Sequence, residues 1–372
     1  ADAHPTAAAL FDAEHNPMWE VTPSYEAATR LLSFWRARGS DGKIRYDFTD
    51  RDLDTRFLGD LYQDLSEHAR KTYALLQTPV FVERFILDLT FQPALEEFGL
   101  DPVWKYQPED WCGEVDDDGQ IRGLRCIDPA CGSGHFLLGL FDRLLEKWRE
   151  LEPGTDPWLL IRRALESVHG ADKNPFAVSI ARFRLLVAAL KAGEVTDLRR
   201  APGLPIRVAV ADSLLHGREA GQEAGPMLDD AERGEVFTYR TEDVKEYVKE
   251  VDLLGRGSYH VVVGNPPYIT VKDKQENQNY RDAYWACSRQ YSLSVPFAQR
   301  IFELALRASG DHRDGGFTGQ ITANSFMKRE FGKVLIESFF HGGPYKDAKS
   351  GRKRNFMGVE LTHIIDTSGA YI

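Results

Sequence analysis

Cysteine is scarce in this 372-residue chain: Cys112, Cys126, Cys131 and Cys287 form no Cys-x-x-Cys pair and have no histidine at finger-like spacing. They therefore offer neither a zinc site nor a disulfide framework. Long hydrophobic runs are missing as well. No apolar stretch approaches the roughly 20 residues that cross a bilayer, and the first residues lack the basic flank and apolar core of a signal peptide. A cytoplasmic protein without membrane contact is expected. There is no Gly-x-x-x-x-Gly-Lys phosphate loop and no arrangement suited to hydrated Mg²⁺, so no metal is expected.

Positive charge is also in deficit. The net charge is −11, which by itself argues against nucleic acid as a partner. The deficit is uneven, with residues 1–269 carrying a net −15 and residues 270–372 a net +4. Lys346, Lys349, Arg352, Lys353 and Arg354 crowd into nine positions of that basic end. Such a run is either a solvated loop or a phosphate contact.

What the chain does contain is a change of rhythm near residue 123. Residues 1–77 read as a helical N-terminal region, with apolar residues at three and four spacing over 25–38 and 56–76. Thr78-Pro79 opens another helix, with Val80, Phe81, Phe85, Ile86 and Leu89 on one side and proline in its first turn. Residues 102–123 read as a loop. Strands are then expected at 124–128, up to 172, at 206–211, 261–263, 317–323 and 361–366. Between them lie helices at 135–149, from 158, and at 176–192, 295–308 and 326–340. This alternation predicts an α/β domain over 78–372 with a doubly wound, mostly parallel sheet. Residues 213–258 interrupt it as an acidic insertion holding one amphipathic helix at 242–253.

The sharpest signal is Asn265-Pro266-Pro267-Tyr268, which ends a β-branched run. Two prolines make the backbone leave the strand rigidly and donate no N–H, so their carbonyls are free to accept. Asn265 adds an amide oxygen and Tyr268 a planar ring. Together they suit a flat, amino-bearing group such as a nucleobase. A stiff loop is the plain alternative.

Upstream, Asp128-Pro129-Ala130-Cys131-Gly132-Ser133-Gly134 follows a buried strand at the mouth of a helix. Gly132 and Gly134 let a ligand approach the backbone, and the helix start offers N–H groups to an anion. The dinucleotide pattern would place a third glycine where Leu137 stands and an acid about twenty residues on. Asp128, Asp172 and Asp212 each end a strand, and in a doubly wound sheet they would line one crevice. They suit a ligand with a cationic amine, a ribose diol and an adenine amino group, namely S-adenosylmethionine. Each could instead be a helix cap.

In this order the segments resemble the class I, Rossmann-like methyltransferases, specifically the adenine-N6 DNA methyltransferases in which the cofactor motif precedes the catalytic one. Thr78-Pro79 with Phe81, residues 128–134, Gly170-Ala171-Asp172-Lys173-Asn174-Pro175-Phe176, Ala211-Asp212-Ser213 and Asn265-Pro266-Pro267-Tyr268 are five such motifs within about 190 residues. Further segments, including Tyr62-Gln63-Asp64-Leu65-Ser66, residues 324–332 and residues 365–371, resemble the PglX methyltransferases of BREX and phage-growth-limitation defence systems. Those proteins are longer, so the chain is expected to be a fragment, with a final strand and a target-recognition domain beyond residue 372.

The resemblance implies double-stranded DNA as substrate, other proteins of a defence system as partners, and methyl transfer to N6 of a flipped-out adenine. Asn265 and Pro266 would accept the amine N–H bonds, with Pro267 stiffening the turn and Tyr268 stacking on the base. For the cofactor, Asp172 would take the ribose, Asp212 the adenine amino group and Phe176 the adenine face. Asp128, Ala130, Gly132 and Gly134 would hold the methionine part, flanked by Thr78 and Pro79. Phe176 has a competing role as a core residue.

Other classes stay open. The release-factor glutamine methyltransferases share Asn-Pro-Pro-Tyr but favour a different glycine segment. A DNA- and partner-binding subunit would use the cofactor only as a signal. A nuclease would rest on Asp41-Gly42-Lys43 or Asp347-Ala348-Lys349, neither with a second acid on a strand.

Overall fold

A computed structural model describes residues 4–13, 15–46, 55–65, 78–104, 111–195, 197–218, 220, 243–287, 289–308, 315–346, 353–356 and 358–366. The N-terminal region contains α1 (Pro5–Ala9), α2 (Tyr25–Arg36) and α3 (Arg56–Leu65). The remainder of the helix expected over 56–76 lies outside the described residues. Ala7 and Leu10 join the core of the main domain, and His4 Nε2 meets the carbonyl oxygens of Ala201 and Pro202 at 3.0 and 2.7 Å.

The main domain follows the expected rhythm. Its strands are β1 (Cys126–Asp128), β2 (Val168–Asp172), β3 (Arg207–Val210), β4 (Val261–Gly264) and β5 (Phe317–Gln320). They pair in parallel in the order β3-β2-β1-β4-β5. That order, reversing at β1, is the doubly wound arrangement of the class I methyltransferase fold. The helices are α4 (Val80–Phe98), α5 (His135–Leu151), α6 (Pro157–Glu166), α7 (Pro175–Ala192), α8 (Val244–Val251), α9 (Lys274–Ala283), α10 (Ser294–Leu304) and α11 (Ser325–Lys328).

Strand alternation distributes the core. Cys126, Val168, Val208, Val210, Val261 and Val263 face the cluster built with α4 to α7, whereas Ile127, Ala171, Ala209 and Val262 face the one holding α8 and α10. A third cluster unites α9, the start of α10 and Leu335 and Phe339 of a π-helical turn.

Several expectations are corrected. The buried face of α4 is Glu83, Leu87, Thr90, Phe91 and Ala94, while Phe81 and Phe85 are 60% and 46% exposed. Apolar residues lie on all sides of this helix, so their spacing selects no face; Gly139 of α5 does, because a Cβ there would overlap Glu83 Oε1. The helix expected over 326–340 is broken into α11, a short 3₁₀ turn and the π-helical turn. The sixth strand expected at 361–366 does not form; these residues are irregular and exposed. An unforeseen antiparallel hairpin, β6 (Gly343–Lys346) with β7 (Lys353–Phe356), forms a separate two-stranded sheet. The insertion does carry its helix, α8, while 221–242 lie outside the described residues.

Candidate active site

The strand order sets the predicted site residues side by side. Asp128 and Asp172 end β1 and β2, Asp212 follows β3 by two residues, and Asn265 follows β4 directly. Along the carboxyl edge the sequence becomes Asp212, Asp172, Asp128, Asn265, about 14 Å from first to last at the usual strand spacing.

Each acid is held by nearby main chain. Asp128 Oδ1 accepts from the Ala130 N–H at 3.0 Å. Asp172 accepts from Gly132 N at 2.8 Å through Oδ2 and from Asn174 N at 2.8 Å through Oδ1, joining the glycine turn to β2. Asp212 Oδ1 accepts from Leu214 N at 3.0 Å. Burial pushes the Asp128 carboxyl up to about 8, opposed by the Ala130 N–H and reinforced by Asp172. Burial also raises Asp172, against the pull of its two N–H donors. A cationic group in the crevice would restore charge to both.

The glycine turn is shaped for a close approach. Gly132 and Gly134 have φ of +51° and +85°, and a Cβ on Gly132 would meet open space whereas one on Gly134 would press on Ala181. Arg184 from α7 braces the turn from behind, donating to the Ser133 carbonyl at 2.6 Å. Phe176 is half-buried and belongs to none of the three hydrophobic clusters formed by the described residues.

On the catalytic side, Asn265 Nδ2 donates to Thr78 Oγ1 at 3.3 Å, and the Tyr268 hydroxyl donates to Asn265 Oδ1. Thr78 is buried, with its hydroxyl on the Asn265 amide itself. Burial raises the Tyr268 phenol, so it stays a donor. Pro266 is buried and Pro267 half-buried. A Cβ on Gly264 would lie 3.1 Å from Asp128 Oδ1, so the two halves of the site touch through that glycine.

Three participants escaped the sequence reading. Lys173 Nζ bridges Asp212 Oδ2 at 3.3 Å and Glu276 Oε1 at 2.8 Å, and the Tyr280 hydroxyl lies 2.6 Å from Asp212 and 2.8 Å from Glu276. Burial lowers the Lys173 pKa, but Asp212 and Glu276 outweigh it and hold the ammonium charged. Glu276 and Tyr280 share one face of α9, four residues apart. The available signal was Asp273 with Glu276 three residues on; Asp273 Oδ1 indeed caps the helix through Glu276 N at 2.8 Å. From the N-terminal region, Tyr62 reaches the same crevice through 2.9 Å from Asn174 Nδ2 to its hydroxyl.

Among the described residues no group of three or more His, Cys, Asp or Glu could hold a metal ion, and no helix is long and apolar enough to cross a membrane. Asp41 and Lys43 of the nuclease alternative lie in an exposed turn, and Asp347 to Lys349 lie outside the described residues.

Residues 166–341 match the family model of the Eco57I restriction-modification methylase. The adenine-specific methyltransferase PglX of Streptomyces coelicolor is 50% identical over 98% of this chain and 28% of its own length. The type II methyltransferase M.PaeR7I of Pseudomonas aeruginosa is 26% identical over 62% of this chain and 33% of its own. A solved DrdV–DNA complex aligns with 80% of this chain and 25% of that chain at 16% identity, with a TM-score of 0.49. The chain thus spans about a third or less of the length of the curated relatives it matches. Methyltransferase kinship implies an S-adenosylmethionine-type cofactor, in keeping with the crevice acids. On a doubly wound parallel sheet, this chain is thus similar over nearly its whole length to a protein named an adenine-specific methyltransferase, and over residues 166–341 to the Eco57I restriction-modification methylase model.

Proposed function

We propose that this chain is the catalytic part of a site-specific DNA methyltransferase that moves a methyl group from S-adenosylmethionine to N6 of a flipped-out adenine in double-stranded DNA. Its setting would be a bacterial anti-phage defence system whose other proteins are its partners. The observation that carries the reading is the order Asp212, Asp172, Asp128, Asn265 along one sheet edge. In that order these residues would hold an adenine edge, a ribose, a methionine amine and a target amine.

Bound there, the cofactor supplies an electrophilic methyl group. Asp212 accepts from the adenine amino group, Asp172 takes the ribose hydroxyls, and Phe176 covers the adenine face. Asp128 faces the methionine amine, with Ala130, Gly132 and Gly134 presenting bare backbone. Asn265 Oδ1 and the Pro266 carbonyl accept the two N–H bonds of the target amine, which is a poor nucleophile because its lone pair is delocalised into the ring. Holding both hydrogens favours a pyramidal nitrogen with its lone pair turned to the methyl. Pro267 keeps the turn rigid, Tyr268 packs on the base and offsets part of its unstacking, and Thr78 and Pro79 seat the start of α4 against this corner. Cys131, buried with its thiol pKa raised by burial, has no part as a nucleophile.

The test is modified-base mapping of genomic DNA from cells with and without the gene. N6-methyladenine at one fixed motif, lost on deletion, is expected. An unchanged methylation map overturns the reading.

A further inference from the structure

The β6–β7 hairpin places two lysines where they repel each other. Lys346 and Lys353 are directly opposed across the strands, and both are exposed. Among the described residues neither ammonium has a carboxylate partner. This is also the end of the chain with an excess of basic residues, the preceding 269 residues being strongly acidic.

The hairpin is anchored rather than free. Strand alternation turns Tyr345 to the opposite face, where its ring stands edge-on to Trp285 at 5.9 Å. Trp285 and Tyr345 pack on the cluster that also receives Ile269 and Val271, the residues leaving the catalytic tetrapeptide. Trp285 lies five residues beyond Tyr280, whose hydroxyl meets Asp212, so at most about 18 Å of chain separates the hairpin's anchor from the cofactor crevice. A pair of exposed cations therefore stands on an element packed against the same cluster as the segment leaving the tetrapeptide, on the part of the chain where a polyanion is not repelled.

We propose that this hairpin is a contact for the phosphate backbone of the duplex being methylated, with Lys346 and Lys353 each neutralising one phosphate. The inference rests on the DNA-methyltransferase reading above and adds a surface to it. Lysines acting as point charges give affinity and placement without reading bases.

The test uses the protein as its gene encodes it, with Lys346→Met/Lys353→Met and Lys346→Arg/Lys353→Arg variants. Duplex DNA binding is titrated over a salt series, alongside S-adenosylmethionine affinity and the methylation rate at saturating DNA. The Met pair should lower the slope of log K against log salt by about 1.8, at about 0.9 per phosphate, while cofactor affinity and the saturated rate stay unchanged. The Arg pair should keep the wild-type slope. A wild-type slope in the Met pair, or a lost slope in the Arg pair, overturns the hairpin contact and leaves the enzyme reading standing. Absence of DNA methylation in the wild type overturns the enzyme reading itself.

Discussion

The two halves of the site are built by different means. On the proposed cofactor side, Asp128, Asp172 and Asp212 accept from backbone N–H groups of their own or the adjoining turn, and Asp212 also meets the side chains of Lys173 and Tyr280. On the catalytic side the Asn265 amide is gripped by two side chains, Tyr268 three residues away and Thr78 from 187 residues away. The contacts of Asp128 and Asp172 follow from forming the sheet, whereas Asp212 also needs α9 to dock, and Asn265 the start of α4. Damage to one half should therefore leave the other intact.

The largest separation is expected at Asn265. Asn265→Ala should reduce methyl transfer about 10²- to 10³-fold while cofactor affinity, read by calorimetry, stays unchanged. A joint loss of both would erase the distinction between the halves.

Asp128 tests the cofactor half through pH. An acid whose folded pKa is raised holds a proton that the unfolded chain has released, so its stabilisation is full below about 3.8 and is lost as pH rises toward about 8. The stability of the cofactor-free wild type relative to Asp128→Asn should thus fall by about 1.4 kcal/mol per pH unit between pH 5 and 7 in urea titrations. A flat difference would mean Asp128 is already charged in the crevice.

Asp212→Ala should weaken cofactor binding about 10- to 100-fold, the worth of a hydrogen bond to a charged group, and slow the saturated rate far less. Equal losses in both would tie Asp212 to the transfer step as well.

The smallest effect is also the finest probe. Thr78→Val should lower the saturated rate about 5- to 10-fold at unchanged cofactor affinity, and Thr78→Ser should restore it. A fall in cofactor affinity instead would move Thr78 to the other half.

What could be read in advance follows the same division. A β-branched run with an acid or Asn-Pro-Pro at its end carries its own structure, so β1 to β4 and their terminal residues were legible. α9 was not, because KQENQNYRDA has no apolar stripe; its place is decided by Tyr280 and Glu276 meeting Asp212 and Lys173. The face of α4 depended on Gly139, and the hairpin on Tyr345 finding Trp285. Residues 361–366 look like a strand, yet a strand exists only with a partner, and among the described residues none pairs there.

By itself the sequence determined the α/β rhythm, the class I fold, the three acids and the Asn-Pro-Pro-Tyr corner, since period, turn chemistry and strand-end residues are local properties of a chain. Only the tertiary structure decided that Thr78 grips the Asn265 amide and that Lys173, Glu276 and Tyr280 close around Asp212. Those outcomes depend on which surfaces meet across as many as 187 residues, and side-chain contacts at that separation leave no periodic trace in the sequence.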